Sequence, residues 1–298
     1  MQLSKVLEMK GHNAPIYSLD FYKGLLYTGS GDTFVAAWDY SSGVQSSFSI
    51  KTDASVFSIY CIESLGLLAI GSSCGSVYIV DVNSKKQIAS LNGHSEAIFS
   101  FLFDVLTGYF YIGDAQGNLS VWSTDSWERK VFIPLQCGKI RDLVLVSGDL
   151  FIATQSGEII VMETLFFNLV SRWVAHSLGV NCLIIHPSKK GVLVSGGKDG
   201  YIKCWDLKTK KELLSIAAHN FGVYRIIFMC DDVYMISASR DKTIKCWDAS
   251  NMEVLHKVTA KEGGHIHAVN ELVVINTSMF ASVSDDKRII VWELLPSC

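Results

Sequence analysis

The sequence predicts an all-β chain whose seven four-stranded repeats pack radially into a seven-bladed β-propeller. Three observations predict it. One segment recurs almost unchanged, SGGKDGYIKCWD at 195–206 and SASRDKTIKCWD at 237–248, offset by 42 residues. The same register continues towards both ends of the chain. Between the copies the chain reads as short alternating apolar strands separated by turn residues, with no helical periodicity of useful length.

The further copies are TGSGDTFVAAWD at 28–39, SVSDDKRIIVWE at 282–293 and, degraded, IGDAQGNLSVWS at 112–123. Two weaker ones, IGSSCGSVYIVD at 70–81 and IATQSGEIIVME at 152–163, fill the gaps. Their anchors are Trp38, Val80, Trp122, Met162, Trp205, Trp247 and Trp292, spaced by about 42 residues. The repeats therefore end near 39, 81, 123, 163, 206, 248 and 293, within one domain spanning 1–298. In repeat six, YRIIFM, VYMISAS, TIKCWD and EVLHKV supply four strands. A four-stranded unit of this length cannot bury both of its faces alone. Radial packing covers each face with a neighbour and leaves only short edges exposed.

Composition fits a globular chain: 49% hydrophobic and 18% charged residues, with a mean hydropathy of +0.28. A net charge of −3 argues against a nucleic-acid binder that relies on bulk positive charge. No run approaches 18 apolar residues, so no membrane span is expected, and MQLSKVLEMKGH lacks the apolar centre of a signal peptide. Eight cysteines are scattered without a CxxC pair, several inside strand-like runs such as IKCWD. They are expected to be reduced thiols of a cytoplasmic protein, with no zinc site. Cys298 is no prenylation signal, which needs three residues after the cysteine. Phosphate loops, metal-ligand clusters and paired acids are missing at usable spacing, so no cofactor or metal is expected.

The Gly-His or Ala-His dipeptide, the turn Asp and the closing Trp-Asp together resemble the WD40 repeat family over the whole chain. The resemblance implies how the ring closes. Only Glu293–Cys298 follow Trp292, too few for an outer strand, while Leu3–Met9 reads as a strand without a repeat of its own. Propellers of this family donate such an N-terminal strand to the last blade. The resemblance also bears on four sets that look like catalytic triads: His12/Thr28/Asp32/Trp38, His176/Ser195/Asp199/Trp205, His219/Ser237/Asp241/Trp247 and His265/Ser282/Asp286/Trp292. A nucleophile needs one activated copy beside an oxyanion site; four copies in one register imply the family's buried hydrogen-bond relay. No residue is expected to be catalytic. Repeats two and four lack the set. Repeat three keeps His94 and Trp122 but has Ile112 and Gln116 where the hydroxyl and the acid are expected, so blades two to four are expected to rely on apolar packing.

In the same family three positions per blade point to the rim of the narrow face around the central channel. Carried over, these are Pro15/Tyr17/Gly31, Ser55/Phe57/Ser73, Ala97/Phe99/Ala115, Lys139/Arg141/Gln155, Gly179/Asn181/Lys198, Gly222/Tyr224/Arg240 and Ala268/Asn270/Asp285. Tyr17, Phe57 and Phe99 then stand side by side on blades one to three. Lys139, Arg141, Lys198 and Arg240 form a basic sector on blades four to six, with Tyr224 beside it. Aromatic and Arg side chains dominate interface hot spots, so these eight residues are the expected partner site. The function expected is a monomeric, non-catalytic scaffold for a peptide or protein partner. The alternative is a module that binds nucleic acid or a phosphorylated ligand through the basic sector.

Overall fold

The computed structural model describes residues 2–295. Twenty-eight strands form seven four-stranded antiparallel sheets. The inner strands are Ile16–Tyr22, Val56–Ile62, Ile98–Asp104, Ile140–Val146, Val180–Ile185, Val223–Met229 and Val269–Val274. In blades one to six the strands run outwards in chain order. Blade one, for example, continues through Leu25–Ser30 and Phe34–Asp39 to Gln45–Lys51. Two 3-10 turns, Glu63–Leu65 and Ala260–Glu262, are the helical elements among the described residues, and no helix there is long and apolar enough to cross a membrane.

Blade seven closes the ring as expected. Its outer strand is Gln2–Lys10, antiparallel to Arg288–Leu295, with Leu3 opposite Leu294 and Met9 opposite Ile289. A register shift between Lys5 and Leu7 turns Val6 outwards and leaves Leu3 and Met9 buried. Cys298 and its neighbours back to residue 296 lie outside the described residues.

The apolar interior lies between the blades. One layer holds Met9, Ile16, Leu26, Trp38, Val283 and Ile289 from blades seven and one; another holds Leu3, Ile236, Cys246, Leu272, Phe280 and Trp292 from blades six and seven. Alternation within each strand supplies one buried face per neighbour. Close approach requires Gly113 on the second strand of blade three, where a Cβ atom would collide with Ile140 of the next blade and with Ser100.

Candidate partner-binding face

The four expected relays are formed. In blade one His12 Nδ1 lies 2.9 Å from Asp32, His12 Nε2 lies 2.8 Å from Thr28 Oγ1, and Trp38 Nε1 donates to that oxygen at 2.9 Å. The sets at His176, His219 and His265 repeat this geometry. An ionised carboxylate only accepts, so Nδ1 carries the proton and Nε2 accepts from the hydroxyl, whose oxygen receives the indole N–H. Burial lowers His176, His219 and His265, which keeps them neutral despite the facing Asp. Asp241 and Asp286 end below the usual carboxylate range, because their hydrogen bonds outweigh the upward push of burial.

Blade three corrects the sequence reading, because it has a relay after all. His94 Nδ1 lies 2.7 Å from Asp114 and His94 Nε2 lies 2.7 Å from Ser120 Oγ, which accepts from Trp122 Nε1 at 2.8 Å. Ser120 is directly opposite Ile112 across the strand pair, as Ala36 is opposite Thr28 in blade one. The hydroxyl has crossed to the neighbouring strand on the same face. The acid has moved two residues back, from Gln116 to Asp114. Blades two and four, without these residues, are filled by apolar side chains such as Val80 and Met162.

The rim positions carried over from the sequence come together in every blade. The third residue of each set donates its backbone N–H to the carbonyl of the first, from Gly31 to Pro15 in blade one through Asp285 to Ala268 in blade seven, at 2.8–3.1 Å. Tyr17, Phe57 and Phe99 form one unbroken row. Tyr17 meets Phe57 edge-on at 4.9 Å, and Phe57 stacks on Phe99 at 5.5 Å with the planes 9° apart. Lys139 and Arg141 complete the row, their cations 4.8 and 4.9 Å from the Phe99 ring centre. The aromatic and basic sectors are therefore contiguous. The three rings, Lys139, Arg141 and Tyr224 are half-buried, while Lys198 and Arg240 are exposed.

Below the rim the channel forms a cavity of about 640 Å³. The sequence reading missed its charged tier. Arg225 of blade six reaches Asp142 of blade four at 3.2 Å and Glu271 of blade seven at 2.9 Å. Burial raises Glu271 to about 7 and Asp20 to about 6, against the opposing pull of Arg225 and of backbone N–H groups. Inner-strand polar groups tie every blade junction. Asp20 accepts from Cys61 N–H, Ser58 donates to Ile98 O, Ser100 to Ile140 O, Asp142 accepts from Leu183 N–H, Asn181 donates to Val223 O, Arg225 pairs with Glu271, and Asn270 donates to Ile16 O, all at 2.7–3.4 Å. Asn181 and Asn270, two of the rim residues, thus serve the ring. A sequence signal existed: Asp142, Arg225 and Glu271 share the inner-strand position that Ser18, Ser58 and Ser100 hold in blades one to three.

The profile of the family described as WD domain, G-beta repeat matches residues 3–39, 167–206 and 210–248. Those three matches fall in a ring of seven sheets closed by the N-terminal strand. The chain carries WD40 repeats in a seven-bladed propeller. Curated proteins similar to it include THO complex subunit 6 of Homo sapiens, 25% identical over 51% of this chain and 50% of that protein. The guanine nucleotide-binding protein subunit beta-like protein of Encephalitozoon cuniculi is 25% identical over 70% of this chain and 55% of its own. The ribosome biogenesis protein YTM1 of Kluyveromyces lactis is 24% identical over 66% and 45%. The chain spans about half the length of the curated relatives it matches. WD40 propellers are in general non-catalytic interaction scaffolds.

Seven cysteines of this WD40 chain lie among the described residues, and none is disulfide-bonded. Cys61, Cys137, Cys182, Cys204 and Cys246 are buried, and burial raises each thiol. Cys74 differs. It is exposed, and the hydroxyls of Ser72 and Ser76 at 3.1 and 3.3 Å hold its thiol below the ordinary value.

Proposed function

We propose that this propeller is a non-catalytic scaffold that holds a peptide or protein segment across its narrow face. In this reading it works as a monomer in a reducing, cytosolic compartment, which the unbridged thiols suit. The observation that carries the reading is the unbroken row Tyr17–Phe57–Phe99 ending under Lys139 and Arg141 at the channel mouth. Rings locked against one another present large apolar surface at little further entropic cost when a partner covers them. The relays, which supply the only Ser–His–Asp geometry among the described residues, are buried between blades and serve folding.

The test uses the intact chain. A protein captured from the source cells is purified and titrated against wild type and the Phe57→Ala/Phe99→Ala variant. Loss of both rings is expected to weaken binding at least tenfold, on the order of 1.4 kcal/mol or more. The half-buried rings contribute modestly to folding, so the melting temperature should fall by only a few degrees, roughly 1–2 kcal/mol of stability. Unchanged affinity in the folded variant would move the site to the wide face or the blade sides.

A further inference from the structure

The basic end of the row carries charge that the fold leaves unneutralised. Lys139 and Arg141 flank Ile140 at the start of the inner strand of blade four, and both side chains converge over Phe99. Lys198 holds the third rim position of the next blade, its N–H bonded to Gly179 O, and burial followed by the charges of Arg141 and Lys198 lowers Lys139. Among the described residues none of these three cations is in an ion pair, whereas Lys203, Arg225 and Arg288 all are. Glu96 attracts Lys139 without pairing with it. Folding does not require cations here. Blades one to three fill the equivalent rim positions with neutral residues and close equally well. Three like charges on one sector of the rim, two of them half-buried, are unfavourable until an anion joins them.

We infer that Lys139, Arg141 and Lys198, with Tyr224 lining the same channel mouth as Arg141, form a phosphate subsite that reads a phosphorylated side chain of the bound segment. The inference rests on the scaffold reading and adds the chemistry of its ligand. A phosphomonoester brings nearly two negative charges and three acceptor oxygens, enough for a guanidinium fork and two ammonium groups at once. A carboxylate brings one charge and two acceptor oxygens, so it offsets about half as much of the cluster's charge. The phosphate would sit at the end of the aromatic row, where Phe57 and Phe99 receive an apolar residue of the same segment. A nucleic-acid strand fits less well. Its successive phosphates would run on towards Asp285 at the rim and the channel carboxylates Asp20, Asp142 and Glu271.

The test is a degenerate peptide library with a fixed phosphoserine or phosphothreonine, compared with its unphosphorylated and glutamate forms on the full chain. Inorganic phosphate serves as competitor and single-stranded poly-U RNA as a separate arm. Phosphorylated peptides should bind at least tenfold more tightly than either other form and be displaced by inorganic phosphate. Lys139→Ala/Lys198→Ala, at one half-buried and one exposed position, should abolish that preference while the melting temperature falls by no more than a few degrees. Arg141→Gln should do the same with a smaller side-chain change than Arg141→Ala. Equal binding of all peptide forms, a preference that survives in the Lys139→Ala/Lys198→Ala variant, tighter binding of RNA, or no peptide binding would each overturn the subsite. Equal binding of all forms that is still lost in Phe57→Ala/Phe99→Ala would remove the phosphate and leave the scaffold reading intact. Insensitivity to that aromatic variant would remove the scaffold reading itself.

Discussion

Removing Asp114 should destabilise the propeller far more than removing Gln116, although Gln116 occupies the position where the other relays have their acid. Asp114 is fully buried and accepts from His94 Nδ1 at 2.7 Å, from the N–H groups of Gln116 and Asn118, and from Asn118 Nδ2. The donors in the turn can reach water once the carboxylate is gone. His94 cannot, since its side chain is 1% exposed. One orphaned buried donor together with a lost charge-assisted bond costs about 3 kcal/mol, or about 6 °C at ~2 °C per kcal/mol for a chain of this size. The Gln116 side chain is exposed and only accepts a 3.4 Å contact from Asn118 Nδ2, so Gln116→Ala should cost under about 0.5 kcal/mol. The hydroxyl allows a sharper test. Ser120→Ala orphans His94 Nε2 and Trp122 Nε1, and Ile112→Thr would put a hydroxyl directly opposite, where blade one has Thr28. Ile112→Thr should destabilise the wild type and restore stability in the Ser120→Ala background, a non-additivity on the order of 1–3 kcal/mol. Urea and thermal unfolding of the four variants measure all of this. Equal losses for Asp114→Ala and Gln116→Ala, or additive effects at 112 and 120, would refute the relocated relay.

Three further outcomes are expected. Deleting residues 2–10 removes the outer strand of blade seven and uncovers the Arg288–Leu295 edge together with the partners of Leu3 and Met9, so the truncated chain should aggregate; a monomer with the wild-type melting temperature would contradict the closure. Thiol alkylation of the native protein should modify Cys74 first and leave Cys61, Cys137, Cys182, Cys204 and Cys246 untouched until denaturation; mass spectrometry showing early modification of a buried thiol would count against the packing. The channel acids should make stability fall as pH rises. Glu271 is raised from 4.5 to about 7 and Asp20 from 3.8 to about 6, burial being the leading cause, so their contribution is fully present below about pH 4 and is lost as pH climbs through about 6–7. Glu271→Gln should therefore gain on wild type between pH 5 and pH 8, and a constant difference across that range would show that Glu271 does not titrate there.

Periodicity determined the blade count and the four strands of each blade, because both follow from where apolar and turn residues recur along the chain, and the family resemblance supplied the closing strand. The rim positions came from the family pattern laid on that register, and one hydrogen bond repeated seven times joins the first and third of them in every blade. Periodicity did not determine blade three. A repeat pattern fixes which Cα sits where, whereas a relay needs an oxygen at a point in space, and Ser120 or Asp114 reaches that point from a neighbouring position as well as Ile112 or Gln116 could. The rim residues were legible as types, but the stacking of Lys139 and Arg141 on Phe99, which joins two sectors into one surface, depends on the side-chain directions of adjacent blades. The channel tier lay furthest from the sequence. Asp142 and Arg225 are 83 residues apart and meet across a blade that presents only Cys182 between them. Only closure of the ring around one axis brings inner strands so distant in the chain within reach of a single guanidinium, and that contact belongs to the tertiary structure alone.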